Sequence, residues 1–266
     1  MNQLCQEVNW PNTSFLHATL PDCASPVVSV SDVVPEFQGI HGTGFFARRG
    51  QHLMFITARH CLGRTVQEVN KCVGQLRIPY SMDGTKSSEA DFVPFDCVFH
   101  LPHEHEDIPG EFIDVAVLPI ELTPDSPEEQ MLLKRAALLP PTGNWLNAFQ
   151  YAMLQLDCLT HGIRLIACGF PLGGTQTEVD AEGTVVNQQV TIGGTLQPGT
   201  LPDSMTMTDM TWEGDMNGFS GSPVFLNFTD EHGPHYALVG VLTRAGNQKG
   251  QFIRVGEFIQ HYFACL

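Results

Sequence analysis

The sequence is poor in basic residues. It has 13 Lys and Arg against 29 Asp and Glu, which gives a formal net charge of −16 over 266 residues. A field of this sign repels nucleic acid phosphates and anionic lipid headgroups, so nucleic acid and membrane surfaces are not expected as partners. A basic peptide would be attracted instead, which leaves proteins and peptides as the favoured partners.

Long apolar runs and metal-binding cysteine pairs are also missing. No stretch approaches the ~18 apolar residues that a membrane-spanning helix needs. The first residues, MNQLCQEVNWPNTSF, carry no basic segment followed by an apolar run, so they do not resemble a signal peptide. None of the eight cysteines belongs to a C-x-x-C pair. We therefore expect a cytoplasmic protein with mostly reduced, buried thiols and no metal or other cofactor; disulfides are the less favoured alternative.

The segments with strand character fall into two groups. Short apolar or alternating runs bounded by Gly, Pro and Asp are typical of β-strands. The first group comprises residues 26–30, 42–49, 52–58, 91–100 and 112–120, and the second comprises 163–170, 183–194, 222–227, 236–243 and 251–255. Two groups of short strands without regular intervening helices favour an all-β chain with paired barrels over a βαβ arrangement.

Helices are predicted between the groups and at the end of the chain. Ser126 is a suitable helix cap, Pro127 fits the first turn, and Glu128 and Glu129 suit the positive end of the helix dipole. Residues 144–156 are apolar-rich and favour a second connecting helix. The closing segment, GEFIQHYFACL, has the apolar spacing of a helix.

Three short motifs carry the residues of a nucleophilic mechanism. His60 lies just after an apolar strand in ITARHCL (56–62), Asp114 opens the buried run IDVAVL (113–118), and Ser220 lies between glycines in NGFSGSPVF (217–225). A serine hydroxyl needs a base to take its proton, which would be His60, and Asp114 would fix and stabilise the imidazole. The backbone N–H groups of Gly218 and Ser220 would bind the oxyanion of the intermediate.

Each of these residues also has an ordinary structural interpretation. A lone histidine is more often a core residue, an aspartate can cap a strand end, and a serine among glycines suits a turn. A separate cluster of His100, His103 and His105, with Glu104, Glu106 and Asp107, contains possible metal ligands. It lacks a clear zinc framework, so a solvated acidic loop is the favoured interpretation and no metal site is predicted.

The motifs together resemble the trypsin/chymotrypsin family of serine peptidases, particularly its bacterial trypsin-like members. T-A-R-H-C matches the T-A-A-H-C of that family with one substitution, and G-F-S-G-S-P matches its G-D-S-G-G-P with two. H-G-T-G-F-F (41–46) stands at its Gly-rich strand, and LVGVLT (238–243) at the strand whose edge pairs with substrate. The resemblance spans residues 26–266.

This resemblance implies a chymotrypsin-like double six-stranded β-barrel with a helical inter-barrel connection and a C-terminal helix. The implied divisions are an N-terminal extension (1–25), a first barrel with His60 and Asp114 (26–122), the connection (123–158) and a second barrel with Ser220 (159–266). The implied activity is that of a serine endopeptidase that hydrolyses peptide bonds through an acyl-enzyme. The alternative is a catalytically silent module of this fold that binds a peptide or a partner protein.

Two departures from the family pattern bear on control and on the redox state. The family's activation switch uses an aspartate before the serine, but Phe219 stands there, so the oxyanion site should not need a freed N-terminus. Control would come from a regulatory protein partner, from substrate-driven ordering of the 211–219 loop, or from access to the cleft. Cys61 also lacks the partner of the family's disulfide, because the matching position before Gly42 is His41.

The resemblance also indicates a primary pocket, whose walls contain glycines and are therefore open. Asp215 lies one place from the position that makes trypsin prefer Arg or Lys, which favours basic residues next to the cut. Arg244 near the rim would instead attract acidic residues at other subsites. The pocket set consists of Asp215, Asn217, Thr243, Arg244, Ala245 and Gly250.

Overall fold

The computed structural model describes residues 14–30, 38–82, 89–102, 112–140, 163–172, 177–179, 185–200, 204–212, 214–230 and 232–264. Its first group of strands forms one six-stranded sheet. The members are β1 (Ala24–Val30), β2 (Gln38–Arg49), β3 (His52–Thr57), β4 (Phe99–Pro102), β5 (Phe112–Ile120) and β6 (Ala137–Leu138). The order is β1-β2-β3-β5-β4 with antiparallel neighbours, and β6 runs parallel to β2.

The second group forms a closed six-stranded barrel and a separate hairpin. Its strands are β7 (Arg164–Gly169), β8 (Thr177–Val179), β9 (Val185–Asn187), β10 (Val190–Pro198), β11 (Ser204–Thr208), β12 (Pro223–Asp230), β13 (Gly233–Gly246) and β14 (Lys249–Arg254). The barrel closes in the order β10-β11-β14-β13-β12-β7, and β8 pairs with β9. The chain is therefore mostly β, with a closed barrel and a second six-stranded sheet, which confirms the two predicted strand groups.

A shared core joins the two sheets. Alternate residues of β5 face opposite ways, so Ile113, Val115 and Val117 enter one cluster while Ala116 and Leu118 enter another. The first of these clusters also contains buried residues of the barrel, namely Phe225, Leu238, Val241 and Ile253. Burial of β5 on both faces thus fixes the strand that carries Asp114 against the barrel that carries Ser220.

Among the described residues, the α-helices are α1 (Val66–Val73), α2 (Pro127–Arg135) and α3 (Val255–Ala264). Helix α2 begins as predicted, because Ser126 Oγ accepts from the N–H of Glu129 at 3.1 Å. It ends at Arg135, since the following residues pair with β2 as β6. The predicted helix at 144–156 lies outside the described residues. None of the helices in the described part of the chain is long and apolar enough to cross a membrane.

Some elements differ from the sequence-based prediction. Helix α1 was not predicted, although Thr65 and Glu68 form a reciprocal capping box at its start. The strand predicted over 91–100 is confined to β4, which begins at Phe99. The predicted N-terminal extension is packed from Phe15 onward, with Phe15 in the barrel core and Cys23 in the shared core.

Arg135 ties α2 to the first sheet. Its guanidinium donates to the carbonyls of Asp22 (3.1 Å), Ala24 (3.2 Å), Pro79 (3.4 Å) and Tyr80 (2.6 Å), and lies over a ring. Few side chains other than arginine present so many donors in one plane. Two backbone segments that are distant in sequence are thereby held by one cation.

Replacing Arg135 by methionine should lower the free energy of unfolding by about 2–4 kcal/mol, because several partly buried carbonyls lose their donors. The matched control is Lys134→Met, which removes an exposed cation from the same turn and should change stability by less than about 0.5 kcal/mol. Urea unfolding followed by fluorescence measures both. Equal effects of the two substitutions would contradict this role for Arg135.

Candidate active site

His60 and Asp114 are joined by two hydrogen bonds. His60 lies in a single 3₁₀ turn, Arg59–Cys61, directly after β3, and Asp114 is the third residue of β5. The ring Nδ1 lies 2.8 Å from Asp114 Oδ2, and the backbone N–H of His60 donates to Oδ1 at 3.1 Å. With the proton assigned to Nδ1, these two hydrogen bonds leave Nε2 as an acceptor. The imidazole is thus oriented as a base.

The same contact changes the proton affinity of His60. The pKa of His60 is raised to about 10, chiefly by the hydrogen bond to Asp114 and secondly by the Cys61 side chain, while burial acts in the opposite direction. The imidazolium is therefore the stabilised form of this ring. A base that acts on serine must first be neutral, so the working form becomes more populated as the pH rises.

Any reaction that uses His60 as a base should therefore gain rate with rising pH. We expect kcat/KM to increase through the alkaline range, with an apparent pKa above the ordinary value of 6.5. Asp114→Asn should move that pKa down towards 6.5 and lower kcat by about 10⁴-fold, as in comparable triads. An acidic optimum, or an unchanged profile in the variant, would contradict this assignment.

The raised pKa also links this pair to stability. Because His60 binds its proton more tightly folded than unfolded, the pair stabilises the fold fully below pH 6.5. That contribution is lost as the pH rises through about 10. Activity and this part of the stability thus change with pH in opposite directions.

The Ser220 turn has a backbone that glycine alone accommodates. Gly218 and Gly221 have φ values of +93° and +89°, which lie in the left-handed region. A Cβ on Gly218 would meet the carbonyl of Phe170, and one on Gly221 would meet the carbonyl of Thr43. The glycines on either side of Ser220 are therefore required by conformation and by space.

Contacts with the first sheet place this turn beside His60. The carbonyl of Ser220 accepts from the N–H of Thr43 at 2.8 Å and from Cys61 Sγ at 3.5 Å. Thr43 Oγ1 also donates to the carbonyl of Gly218 at 2.7 Å. Since Cys61 directly follows His60, the fold brings the predicted nucleophile and base to neighbouring positions. The Ser220 hydroxyl itself donates to the carbonyl of Thr243 over a long 3.4 Å.

Two backbone N–H groups of the turn are available to a ligand. The carbonyl of Asn217 accepts from the N–H of Leu172 at 2.7 Å. In a trans peptide the C=O and N–H point in opposite directions, so the Gly218 N–H is turned away from Leu172. Within the described ranges, the N–H groups of Gly218 and Ser220 have no acceptor. Both N–H groups are therefore candidates for binding an anion.

The side chain of Phe219 anchors the turn in the barrel core. It is fully buried there and packs edge-on against Trp212, with ring centroids 5.9 Å apart. Trp212 Nε1 in turn donates to the carbonyl of Asp215 at 3.0 Å. Apolar packing therefore occupies the place where the family that the sequence resembles has its switch aspartate.

The structure places Asp215 differently from the pocket prediction. Its exposed carboxylate accepts from the backbone N–H of Asn217 at 3.0 Å and from its Nδ2 at 2.8 Å. A carboxylate attracts a basic side chain most strongly where it is buried and unpaired, and Asp215 is neither. Around Gly250 the nearest side chains are Leu242 and Met210, which are buried in the barrel core.

An open strand edge adjoins Ser220. Pairing of β13 with β12 stops at Val241, opposite Pro223, while pairing with β14 continues to Gly246. In the described part of the chain, the segment from Thr243 to Gly246 therefore has a strand on one side alone. Its free edge lies next to the Ser220 hydroxyl and offers backbone groups to an added strand.

The position that faces Cys61 is Gly42 rather than His41. A Cβ on Gly42 would lie 2.6 Å from Cys61 Sγ, whereas His41 Nε2 bonds to Ser29 Oγ at 2.7 Å. Neighbouring strand residues point to opposite faces, so the predicted position is wrong by one residue. As predicted, Cys61 forms no disulfide in the structure. The cysteines found free within the described residues are Cys23, Cys61, Cys72, Cys97 and Cys168.

The predicted histidine cluster is mostly beyond the described residues. His100 lies on β4, where its Nε2 is 3.0 Å from Asn70 Oδ1 and its ring packs beside Phe112. Residues 103–107 are not among those described. In the described ranges no three His, Cys, Asp or Glu residues come together as metal ligands.

Comparisons with family models and with curated proteins identify no relative of this chain. No model of a known protein family matches the chain, and no curated protein matches it significantly.

Proposed function

We propose that this chain is a serine endopeptidase with a chymotrypsin-like fold and the triad His60, Asp114 and Ser220. The observation that carries the proposal is the doubly hydrogen-bonded His60–Asp114 pair beside a glycine turn that presents Ser220. The two N–H groups of that turn, which lack acceptors in the described ranges, support it further. A structural histidine would need neither feature.

In the proposed reaction, Ser220 Oγ attacks the carbonyl carbon of the scissile peptide bond while its proton passes to His60 Nε2. The negative charge develops on the carbonyl oxygen, where the N–H groups of Gly218 and Ser220 donate to it. Each such donor stabilises the transition state by about 3–4 kcal/mol. Asp114 holds the imidazolium in place through Nδ1.

Collapse of this intermediate breaks the C–N bond, and the departing amine takes the proton from His60. Ser220 is then esterified by the acyl half of the substrate. A water molecule repeats the sequence: it gives a proton to His60, attacks the ester carbonyl, and releases the acid while Ser220 regains its hydrogen. Every proton removed by His60 is returned, so the enzyme ends unchanged.

The substrate is proposed to be an extended peptide that pairs with the open edge of β13. Such pairing uses backbone hydrogen bonds and leaves side chains to determine specificity. The side chains nearest Gly250 are Leu242 and Met210, which are buried in the barrel core. Because neither is charged, we propose an apolar side chain next to the cut. This proposal differs from the preference for Arg or Lys that the position of Asp215 suggests.

A peptide library of mixed sequence tests this proposal. Wild-type protein should cut peptides at internal bonds, and products formed in ¹⁸O-labelled water should carry the label in their new carboxylates. Ser220→Ala should leave the library intact. Cleavage that continues in this variant, or removal of terminal residues alone, would contradict the proposal.

One observation favours the second candidate, a silent peptide-binding module. The Ser220 hydroxyl donates to Thr243 rather than to His60. The open edge of β13 would still bind a peptide in that case. Binding of library peptides without any cleavage or labelled product would favour this function over the first.

A further inference from the structure

The exposed face of the β13–β14 hairpin carries two cations. Arg244 pairs with Gln251, and Gly246 pairs with Lys249, so the Arg244 and Lys249 side chains lie on one face as diagonal neighbours. Diagonal positions of this kind are roughly 7–8 Å apart. Both side chains are exposed, and neither makes a hydrogen bond or ion pair with any residue that the structure describes.

This concentration of like charge is unusual for the chain as a whole. Acidic residues outnumber basic ones by 29 to 13, yet here two cations lie together without a carboxylate partner in the described ranges. Like charges on one face of a sheet repel each other, so the arrangement destabilises the free hairpin slightly. An anionic ligand would remove that repulsion.

The turn of this hairpin determines which backbone groups face the open edge. Asn247 and Gln248 have φ values of +49° and +58°, as in a two-residue type I′ turn. In such a hairpin the flanking pair, Gly246 and Lys249, exchanges both backbone hydrogen bonds. Because this pattern alternates along the strand, the N–H and C=O of Ala245 point to the open edge.

A substrate strand added antiparallel to this edge would pair directly with Ala245. Directly opposed residues share a face, so that substrate residue points inward with Ala245. The substrate residues on either side point to the exposed face, opposite Arg244 and Gly246. The first substrate residue before the cut lies opposite Thr243, next to Ser220. The residues opposite Arg244 and Gly246 are therefore the second and fourth residues before the cut.

We propose that the site selects acidic peptide segments, with carboxylates at the second and fourth residues before the cleaved bond bound by Arg244 and Lys249. The inference rests on the proposed function, because it takes Ser220 as the point of cleavage. A guanidinium can bind a carboxylate through two parallel hydrogen bonds, whereas the Lys249 ammonium acts as a point charge. At exposed positions each pair should change kcat/KM about two- to fivefold.

The test uses three peptides that differ solely at these two positions, which carry Glu, Gln or Lys. Wild-type protein should cleave the Glu peptide fastest and the Lys peptide slowest, with about tenfold between them at low salt. The difference should shrink at 1 M salt, where the screening length is about 3 Å. Arg244→Glu with Lys249→Glu should reverse the order.

A matched control separates local recognition from net charge. Lys134→Glu makes the same kind of charge change on α2 and should keep the order of the three peptides. Equal cleavage of all three peptides by wild-type protein would overturn the inference. An order that survives the double substitution, or that Lys134→Glu reverses, would overturn it as well.

Absence of cleavage has a separate meaning. If wild-type protein cuts none of the peptides, the proposed peptidase function fails, and fluorescence anisotropy of labelled peptides on Ser220→Ala protein decides the inference. Tighter binding of the Glu peptide that is lost with Arg244→Glu and Lys249→Glu supports acidic recognition. Equal binding of the three peptides overturns it.

Discussion

Ser220→Ala is expected to lower kcat by about 10⁵–10⁶-fold, since removal of the nucleophile from a triad costs as much as removal of the whole triad. The fold should survive, because the hydroxyl makes one long hydrogen bond to Thr243 and the carbonyl contacts of the turn come from the backbone. Hydrolysis of a fluorogenic peptide and thermal unfolding measure the two quantities. A loss of activity with the melting temperature unchanged identifies a chemical role.

The matched control lies two residues away in the same turn. Ser222 is fully buried, and its hydroxyl has no hydrogen-bond partner in the described structure. Ser222→Ala removes an unsatisfied polar group, so stability should stay equal or rise by about 1 kcal/mol while activity remains. Comparable activity losses in the two alanine variants would show that the turn matters for structure and not for chemistry.

Phe219→Asp is expected to lower the free energy of unfolding by about 3–5 kcal/mol, the range found when a buried charge lacks a partner. Phe219 is fully buried and packs against Trp212 and the barrel core. Its loss also removes the support beneath the N–H groups of Gly218 and Ser220, so activity should fall together with stability. Chemical denaturation and peptide hydrolysis follow both effects.

Phe219→Leu is the control, because it keeps an apolar side chain at the same place. It should cost less than about 1.5 kcal/mol and retain most of the activity. If Phe219→Asp is as stable as Phe219→Leu, a counter-charge must reach this position. Apolar packing at Phe219 would then not be what supports the turn.

Activation should not depend on the N-terminus. Since Phe219 stabilises the turn by packing, a short N-terminal extension should leave peptidase activity unchanged. Activity that appears solely after N-terminal cleavage would contradict this expectation.

Local motifs named three residues whose segments the structure brings together, but they did not specify the surroundings of Asp215. His60, Asp114 and Ser220 each follow from a short pattern at a strand end or glycine turn, and the structure brings their segments together. The orientation of Asp215 depends on the side chain of Asn217, which no local pattern specifies. The error at Gly42 has a similar origin, because a shift of one residue changes the face of a strand.

The fold was predictable where a strand has a strong apolar run, as in β5, and less so elsewhere. Strand β11 was missed because Ser204–Thr208 combines threonine and methionine without a continuous apolar run, yet it closes the barrel by pairing with β10 and β14. Helix α1 did carry a readable signal in its Thr65–Glu68 capping box. The role of Arg135 depends on carbonyls distant in sequence, which required the structure.

Covalent labelling tests most directly whether Ser220 is a nucleophile activated by His60. Native protein would be treated with an alkyl fluorophosphonate, digested, and analysed by mass spectrometry. We predict one adduct, on Ser220, whose rate of formation rises with pH and which is absent from denatured protein and from His60→Ala. An adduct on another residue, or labelling of Ser220 at the same rate in His60→Ala, would contradict these roles for Ser220 and His60.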